Sequence, residues 1–433
     1  MKIAAVIAGV IRNCLPGILI FSIILVVLGV GGEIWLRIKS GNRSSNWPAV
    51  NLPGIGHVYE PNAELIATNN VDYWVRERIN SLGFPDREPI PLEKARDSFR
   101  VAFIGDSFVA AIEVDYKSKQ HIVLEKKLNA RLGENRVTAY AFGHSGTGQM
   151  NQLPYYDAFA SKYQPHLVVL VLVANDFCNN SALLEGMRAG WNNFEAAPRL
   201  FAWRGAANES YKFLPLKANE SKTSLAPPPL SPDHPMLPIL TQLRRKSFLY
   251  RWLIPHINKT FKVDTTTLSG SRKLLGDPAE HYYKVLRERP ETAWLYDRGE
   301  TPPPMSIPRL DGEFCKPEIA PLFQEAVDAT GFALDQWQER AQRDNFNLLT
   351  LFSHHLSQSC DDGSNYKKRY AELLNKRNIA YVDQCDTIKA AGGKVRDAHF
   401  QYDDHWSPQG HVWAAETVER YLLAHPALLK TAP

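Results

Sequence analysis

A serine that follows a short apolar run is the first residue of the sequence with a clear chemical possibility. Gly105, Asp106 and Ser107 come directly after the apolar run 99–104. Glycine permits a tight turn, and a serine at the start of the next helix exposes its hydroxyl beside unpaired N–H groups. Such a serine can be a nucleophile, but serine and aspartate are also the commonest helix N-caps. Taken alone, the tripeptide leaves both roles open.

A glycine-rich turn, GHSGTG, occupies residues 143–148. Its backbone N–H groups can approach a ligand closely because glycine has no side chain. The turn nearly matches the G-x-S-x-G nucleophile elbow, which would make Ser145 the nucleophile instead. Thr147 stands where that elbow needs a small glycine, which disfavours this alternative. His144 is either a substrate contact or a hydrogen-bonded structural histidine.

An asparagine and an aspartate, Asn175 and Asp176, closely follow the continuous apolar run 167–173. An asparagine amide at a strand end can donate a hydrogen bond to a developing oxyanion. An Asn-Asp pair is also ordinary turn chemistry, so this motif alone does not assign a site.

The segment YDDHWSPQGH at 402–411 places Asp403 and Asp404 two residues and one residue before His405. A histidine oriented by a carboxylate can take the proton of a serine. With His411 the same groups could bind a metal ion, but no further metal-binding cluster is evident, and we predict none. The sequence contains no phosphate loop, dinucleotide fingerprint or zinc spacing, so we predict no cofactor.

The order of these four motifs resembles the SGNH/GDSL hydrolase superfamily, which is named for its Ser, Gly, Asn and His. The likeness runs from about Phe99 to Leu423, interrupted by an insertion. Within the superfamily the chain resembles a membrane-anchored bacterial branch related to polysaccharide O-acetyl transferases and esterases. The segment RINSLGF at 78–84 is similar to the segment that precedes the first strand in that branch.

The resemblance implies a role for five residues. Ser107 would be the nucleophile, His405 the base and Asp403 the acid that orients it. The oxyanion hole would consist of the N–H groups of Ser107 and Gly146 and the amide of Asn175.

Two departures from the family pattern leave alternatives. Many members carry an aspartate three residues before the histidine, where this chain has Tyr402. Asp403 matches the Asp-x-His spacing of the acetylating branch, and Asp404 remains a secondary candidate together with Asp106, Asp176 and His144. In the third motif, Val173 and Ala174 replace the family's Gly-x before the asparagine.

The hydrophobic periodicity of the sequence predicts the strands and helices that could position these motifs. Short apolar runs alternate with helical patterns, which is typical of βα units in a parallel sheet. In such a sheet the carboxyl ends of the strands share one edge, where ligands bind. We predict an α/β fold, a three-layer αβα sandwich with a five-stranded parallel sheet, flavodoxin-like as the resemblance implies. The predicted strands are Phe99–Ile104, Arg136–Phe142, Leu167–Val173, Leu348–Phe352 and Ile379–Val382. The predicted helices are Ser107–Leu132, Gln149–Tyr163, Pro317–Asp344, Tyr366–Lys376 and His411–Ala424.

Breaks in this pattern suggest the domain organisation. We predict an N-terminal membrane anchor at 1–40, a stalk and N-terminal cap at 41–98, and an SGNH hydrolase-like domain at 99–430. Regularity is lost after the third strand, where Pro-rich stretches indicate a large insertion at about 181–315.

The anchor prediction rests on the uncharged run from Cys14 to Gly32. A helix needs about 20 apolar residues to cross a bilayer, which favours a single transmembrane helix. A cleaved signal peptide is the alternative, since Lys2 and Arg12 precede the run and small residues follow it.

The composition of the chain limits the classes of partner that it can bind and the compartment that it suits. With a formal charge of +4 over 433 residues and no long basic block, the sequence predicts no nucleic-acid binding. Four cysteines outside the anchor suit an oxidising compartment. We expect the pairs Cys178 with Cys315 and Cys360 with Cys385, although four buried thiols remain an alternative.

The resemblance implies a serine esterase or O-acyltransferase that works through an acyl-enzyme. Its expected substrates are acylated carbohydrates or other esters outside the cytoplasm, with the domain in the periplasm and the chain held at the bacterial cytoplasmic membrane. The alternatives are a lipid esterase and a catalytically silent protein that binds or assembles glycans. No protein partner is predicted.

Overall fold

The computed structural model describes most of the chain outside the predicted insertion. The described residues are 17, 20–35, 38, 45–52, 54–69, 72–89, 98–181, 184, 185, 200–203, 210–215, 249, 310–319, 321–354, 360 and 364–429. The chain forms two compact units, Met1–Ser44 with Pro232–Asp264, and Ser45–Ser231 with Thr265–Pro433. All the candidate site residues belong to the second unit. Most of the predicted insertion at about 181–315 lies outside the described residues.

The N-terminal unit contains a helical segment at residues 20–35. Cys14 and its neighbours up to residue 16, where the predicted anchor begins, lie outside the described residues. Among the residues that are described, none of the helices combines the length and apolar character needed to cross a membrane.

The second unit alternates strands and helices after two N-terminal hairpins. The strands are β1 (Ala49–Leu52), β2 (Gly56–Tyr59), β3 (Glu64–Thr68), β4 (Trp74–Arg78), β5 (Phe99–Gly105), β6 (Val137–Gly143), β7 (Leu167–Leu172), β8 (Leu200–Trp203), β9 (Lys212–Pro215), β10 (Asn347–Phe352) and β11 (Ala380–Asp383). The helices are α1 (Ser107–Ala110), α2 (Gln120–Leu132), α3 (Gln149–Ala158), α4 (Asp176–Asn180), α5 (Pro321–Asp344), α6 (Asn365–Asn375), α7 (Gln384–Ala390) and α8 (Pro408–Ala424).

Five of the strands form one parallel sheet in the order β6-β5-β7-β10-β11. Numbered along the chain this is 2-1-3-4-5, the order of flavodoxin-like sheets. The predicted α/β fold with a five-stranded parallel sheet is therefore confirmed. The chain changes direction across the sheet between β5 and β7, so their carboxyl ends border the crevice where such sheets bind ligands.

Alternate residues of the strands pack against two different helical layers. Val101 and Phe103 belong to the core that includes residues of α2 and α8. Ala102 and Ile104 belong to the opposite core, which includes residues of α3, α5 and α6. Because both faces are covered, the strands read as continuous apolar runs rather than as alternating ones.

The prediction was wrong about the helix that follows Ser107. The structure has a four-residue helix, α1, and the long helix begins only at Gln120. Ala111, in the left-handed conformation with φ of +48°, ends α1, and its N–H bonds to the carbonyl of Ser107. Residues 111–114 are buried, so this linker fills the core as a helix would. An apolar linker cannot be told from a helix by periodicity over so few residues.

One of the two expected disulfides is present. Cys360 and Cys385 are bonded, with 25 residues of sequence separation. The predicted pair Cys178 with Cys315 is wrong, because both carry thiols and form no disulfide. Cys178 instead packs in the main core as a small apolar side chain.

Two antiparallel hairpins, β1-β2 and β3-β4, form an N-terminal cap within residues 45–89. Tyr155 on α3 donates its hydroxyl proton to the carbonyl of His57, at 2.5 Å, and thereby ties the cap to the sheet domain. The loop before β4 also contacts the segment ahead of α8, since Asp72 accepts a hydrogen bond of 2.8 Å from the N–H of Tyr402. The cap thus lies against the carboxyl edge of the sheet rather than apart from it.

Candidate active site

Ser107 is the first residue of α1, two residues after the end of β5. Asp106 is the N-cap, and its Oδ1 accepts the N–H of Phe108 at 2.9 Å. A Cβ at Gly105 would lie 2.5 Å from Cγ2 of Val109, so only glycine permits this close turn. Ser107 is partly exposed, and its hydroxyl donates to Oδ2 of Asp106 at 3.4 Å.

The glycine-rich turn lies beside this serine, because Gly143 at the end of β6 is in register with Gly105. Gly146 has a φ of +72°, which favours glycine. Ser145 is separated from the end of β6 and from the start of α3, and its Oγ lies 3.1 Å from the hydroxyl of Tyr59. It therefore lacks the direct strand-to-helix turn of a nucleophile elbow, whereas Ser107 has such a turn.

Asn175 follows β7, the third strand of the parallel sheet along the chain, and stands at the N-cap position of α4. Its amide donates to Oδ2 of Asp106 at 3.3 Å and to Oδ1 of Asn179 at 2.9 Å. Asp106 is fully buried and so links the Ser107 turn to the end of β7. The first three motifs thus meet at one edge of the sheet.

His405 and Asp403 form a short hydrogen bond. Nδ1 of His405 is 2.5 Å from Oδ1 of Asp403, and the backbone N–H of His405 donates to the same oxygen at 3.0 Å. An ionised carboxylate can only accept, so Nδ1 carries the proton and Nε2 is the basic nitrogen. Oδ2 of Asp403 accepts the hydroxyl of Tyr73 at 3.0 Å. Asp404, the alternative acid, is exposed.

The residues on both sides of Ser107 are close to His405. The ring of Phe108 lies 5.3 Å from the imidazole, and the charge of Asp106 acts on it. The imidazole is 28% exposed, which leaves a substrate access to it. No hydrogen bond joins Ser107 to His405 within the described part of the chain, where the serine hydroxyl is turned toward Asp106. Catalytic hydrogen bonds are often made only once substrate binds.

Three carboxylates determine the charge of His405. Burial by itself would lower the pKa of its imidazole, but Glu113, Asp403 and Asp106 together raise it to about 10. Burial also opposes ionisation of Asp403, yet the hydrogen bonds and charge of His405 lower the pKa of that carboxyl. Burial raises the pKa of both Asp106 and Glu113. The protonated imidazole is therefore the favoured resting form at neutral pH.

Sequence reasoning missed Glu113 and Tyr73. Glu113 is 5% exposed, and its Oε1 lies 3.4 Å from Nδ1 of His405. Glu113 is a single acid inside the apolar segment 108–114, and this pattern indicated a buried carboxylate with a specific role. Tyr73 carried no such signal, since its contact with Asp403 joins residues 330 positions apart.

Two of the secondary candidates have contacts typical of structural residues. Asp176 is fully buried, and its Oδ2 accepts from Nε2 of Gln149 at 2.6 Å and from the N–H of Val173 at 3.0 Å. His144 is buried, and its ring packs against those of Tyr59 and His57 with centroids 4.6 and 5.1 Å away.

Possible metal ligands also occur at and just after the ends of β10 and β11. Within the described residues, His354, Asp383 and Cys385 lie close enough together to hold an ion. Cys385, however, is bonded to Cys360, so its sulfur is not a thiolate ligand. His411, part of the alternative metal set considered from sequence, is buried with its Nδ1 2.7 Å from Oε1 of Gln120.

Comparisons with known proteins give distant structural likenesses only. No protein-family model matches the chain, and no curated protein matches it. Similar solved structures include an acetyl xylan esterase, AlAXEase, at 8% identity and TM-score 0.35, over 75% of this chain and 99% of that one. Axe2, an acetylxylan esterase from Geobacillus stearothermophilus, has 9% identity and a TM-score of 0.34, over 78% of this chain and 97% of that one. TesA has 12% identity and a TM-score of 0.32, over 75% of this chain and 97% of that one. At this level of similarity they assign neither a family nor an activity.

Proposed function

We propose that this protein is a serine esterase or O-acyltransferase of the SGNH/GDSL type. The observation that carries the proposal is the short Nδ1–Oδ1 bond between His405 and Asp403 next to the strand-to-helix turn of Ser107. A partly exposed imidazole with a fixed tautomer beside a serine at a tight turn is the arrangement that acyl transfer needs.

In the proposed reaction Oγ of Ser107 attacks the carbonyl carbon of an ester while Nε2 of His405 takes the hydroxyl proton. The tetrahedral intermediate collapses, and the same proton passes from Nε2 to the leaving alkoxide. The products of this half are an alcohol and an ester of Ser107. Water, or a sugar hydroxyl, then attacks the acyl-enzyme with His405 again as base, and the serine is regenerated.

The N–H groups of Ser107 and Gly146 and the amide of Asn175 would stabilise the oxyanion. A single donor of this kind contributes about 10² to 10³ in rate. The amide of Asn175 is already shared between Asp106 and Asn179. Its long bond to Asp106, at 3.3 Å, is the weaker of the two and the one we expect to be exchanged for the oxyanion.

The high pKa of His405 has a direct consequence for this mechanism. Only the neutral imidazole can accept the serine proton, and a pKa of about 10 leaves a small neutral fraction at pH 7. Hydrolysis should therefore speed up as the pH rises from 7 toward 10.

We further propose that the substrates are acylated glycans outside the bacterial cytoplasm and that the N-terminus anchors the chain to the cytoplasmic membrane. The uncharged run Cys14–Gly32 supports an anchor, and the Cys360–Cys385 disulfide supports an oxidising compartment such as the periplasm. A lipid esterase is the second choice of substrate class, since an anchored enzyme is also close to lipid.

A specific observation favours a second candidate, a catalytically silent glycan-binding or assembly protein. The hydroxyl of Ser107 faces Asp106 rather than His405, and both donor positions of the Asn175 amide are engaged. A site that never turns over substrate could rest in this way.

The test of the proposed function is incubation of the full-length protein with acetylated oligosaccharides, with and without an acetyl donor, followed by mass spectrometry. Loss of 42 Da per acetyl group means esterase, and gain of 42 Da means transferase. The S107A variant is the matched control for both. If the protein changes the mass of neither the acetylated oligosaccharides nor an activated ester, the result favours the catalytically silent glycan-binding or assembly protein.

A further inference from the structure

Glu113 is a buried carboxylate on the Nδ1 side of the His405 ring. Its Oε1 lies 3.4 Å from Nδ1, while Oδ1 of Asp403 lies 2.5 Å from the same nitrogen. Two carboxylates therefore converge on one N–H group. The side chain of Glu113 is 5% exposed, so water screens its charge poorly.

The linker between α1 and α2 brings Glu113 to this position. Ala111 is left-handed and ends α1, and the buried residues Ile112 and Val114 flank the glutamate. This left-handed residue ends α1 at the point where the periodicity of the sequence had predicted that the helix continues.

The charged and titratable groups around Glu113 come from four parts of the fold. They are His405 and Asp403 from the segment before α8, Lys119 from the start of α2, Tyr59 from β2 and Tyr73 from the loop before β4. The Nζ of Lys119 donates to the carbonyl of Ala110 at 3.0 Å and lies 3.5 Å from Glu77. Since Lys119 is engaged there, His405 is the cation that most directly faces Glu113.

We propose that Glu113 is a positioning residue of the reaction, a second carboxylate that acts with Asp403 on Nδ1 of His405 and controls how readily the ring accepts the proton of Ser107. This inference rests on the proposed function, which it deepens. At 3.4 Å Glu113 is too far for a good hydrogen bond, so its effect comes through charge and Asp403 fixes the tautomer. Among the groups that raise the pKa of His405, Glu113 is the foremost.

The variants that isolate this charge are E113Q and E113D. E113Q keeps the shape and removes the charge, whereas E113D keeps a charge but holds it further from the ring. E419Q is the matched control, because Glu419 is a similarly buried glutamate, 4% exposed, that pairs with Arg131 on another part of the fold. Thermal melting verifies that each variant folds.

The direct measurement is an NMR titration of His405 in the full-length protein labelled at the histidine ring carbons, with the resonance assigned by its loss in H405Q. An opposite charge at this range changes a pKa by about 1 to 3. We expect E113Q to lower the pKa of His405 by at least about 1, E113D to lower it less, and E419Q to leave it unchanged. A value in E113Q within about 0.3 of the wild type, in a folded variant, overturns the proposal.

The rate of ester hydrolysis gives the second readout. In E113Q the acid limb of kcat/KM should move to lower pH by the same amount as the pKa of His405, and E419Q should leave the profile in place. An acid limb that does not move while the His405 pKa falls would show that Glu113 does not act on the reacting ring. If the wild type hydrolyses no ester at all, the proposed function fails, and the NMR titration still decides whether Glu113 controls His405.

Discussion

Replacing Asp403 with asparagine tests the acid of the proposed triad. The change removes the charge behind the 2.5 Å bond to Nδ1 and also weakens the acceptor of the Tyr73 hydroxyl. The equivalent change in a Ser-His-Asp triad costs about 10⁴ in kcat, mainly because the wrong histidine tautomer becomes populated. Glu113 still faces Nδ1 here, so we expect a smaller loss of about 10² to 10³ in kcat/KM, or about 3 to 4 kcal/mol.

The assay is hydrolysis of p-nitrophenyl acetate between pH 6 and 10.5. D404N is the matched control, because Asp404 is the exposed neighbour of Asp403, and it should stay within about threefold of the wild type. In D403N the acid limb should also move to lower pH, since one of the charges that raise the pKa of His405 is lost. If D404N loses activity while D403N keeps more than a tenth of it, the assignment of the acid is wrong.

Three further outcomes follow from the described contacts. Y73F removes the 3.0 Å hydrogen bond to Asp403 and should cost about tenfold in kcat/KM, as expected for a bond to a charged group, whereas unchanged kinetics would exclude a role for this bond in the reaction. S145A removes the contact of this hydroxyl with Tyr59 of the cap, so kcat for p-nitrophenyl acetate should change by less than about threefold; complete loss would favour the Ser145 alternative. The double variant C360S/C385S opens a loop of 25 residues and should lower the free energy of unfolding by about 3 kcal/mol in denaturant titrations, and an unchanged midpoint would contradict this.

The sheet could be predicted because three of its five strands are buried on both faces. β5, β6 and β7 are buried along their whole length and stand out as runs such as LVVLVL. Their ends also carried the polar motifs, so the shared edge of a parallel sheet implied that Ser107, Gly146 and Asn175 lie together. Local sequence was enough for this because each motif directly follows its own strand.

The contacts made by the N-terminal cap could not be predicted in the same way. Tyr73 reaches Asp403 and Tyr59 reaches Ser145 across long sequence separations. Neither hairpin has a motif that fixes where it lies on the sheet domain. The position of Glu113 beside His405 could not be predicted for a related reason, since the left-handed residue Ala111, which precedes it, has no local signature in the sequence.

The measurement that tests the central claim most directly is the site of covalent labelling by a fluorophosphonate probe on the full-length protein. Peptide mapping by mass spectrometry should find the label on Ser107, and the H405Q variant should react far more slowly at pH 9. Labelling of Ser145 instead, or no reaction of the folded wild type at any pH from 7 to 10, would contradict the claim that Ser107 is the nucleophile.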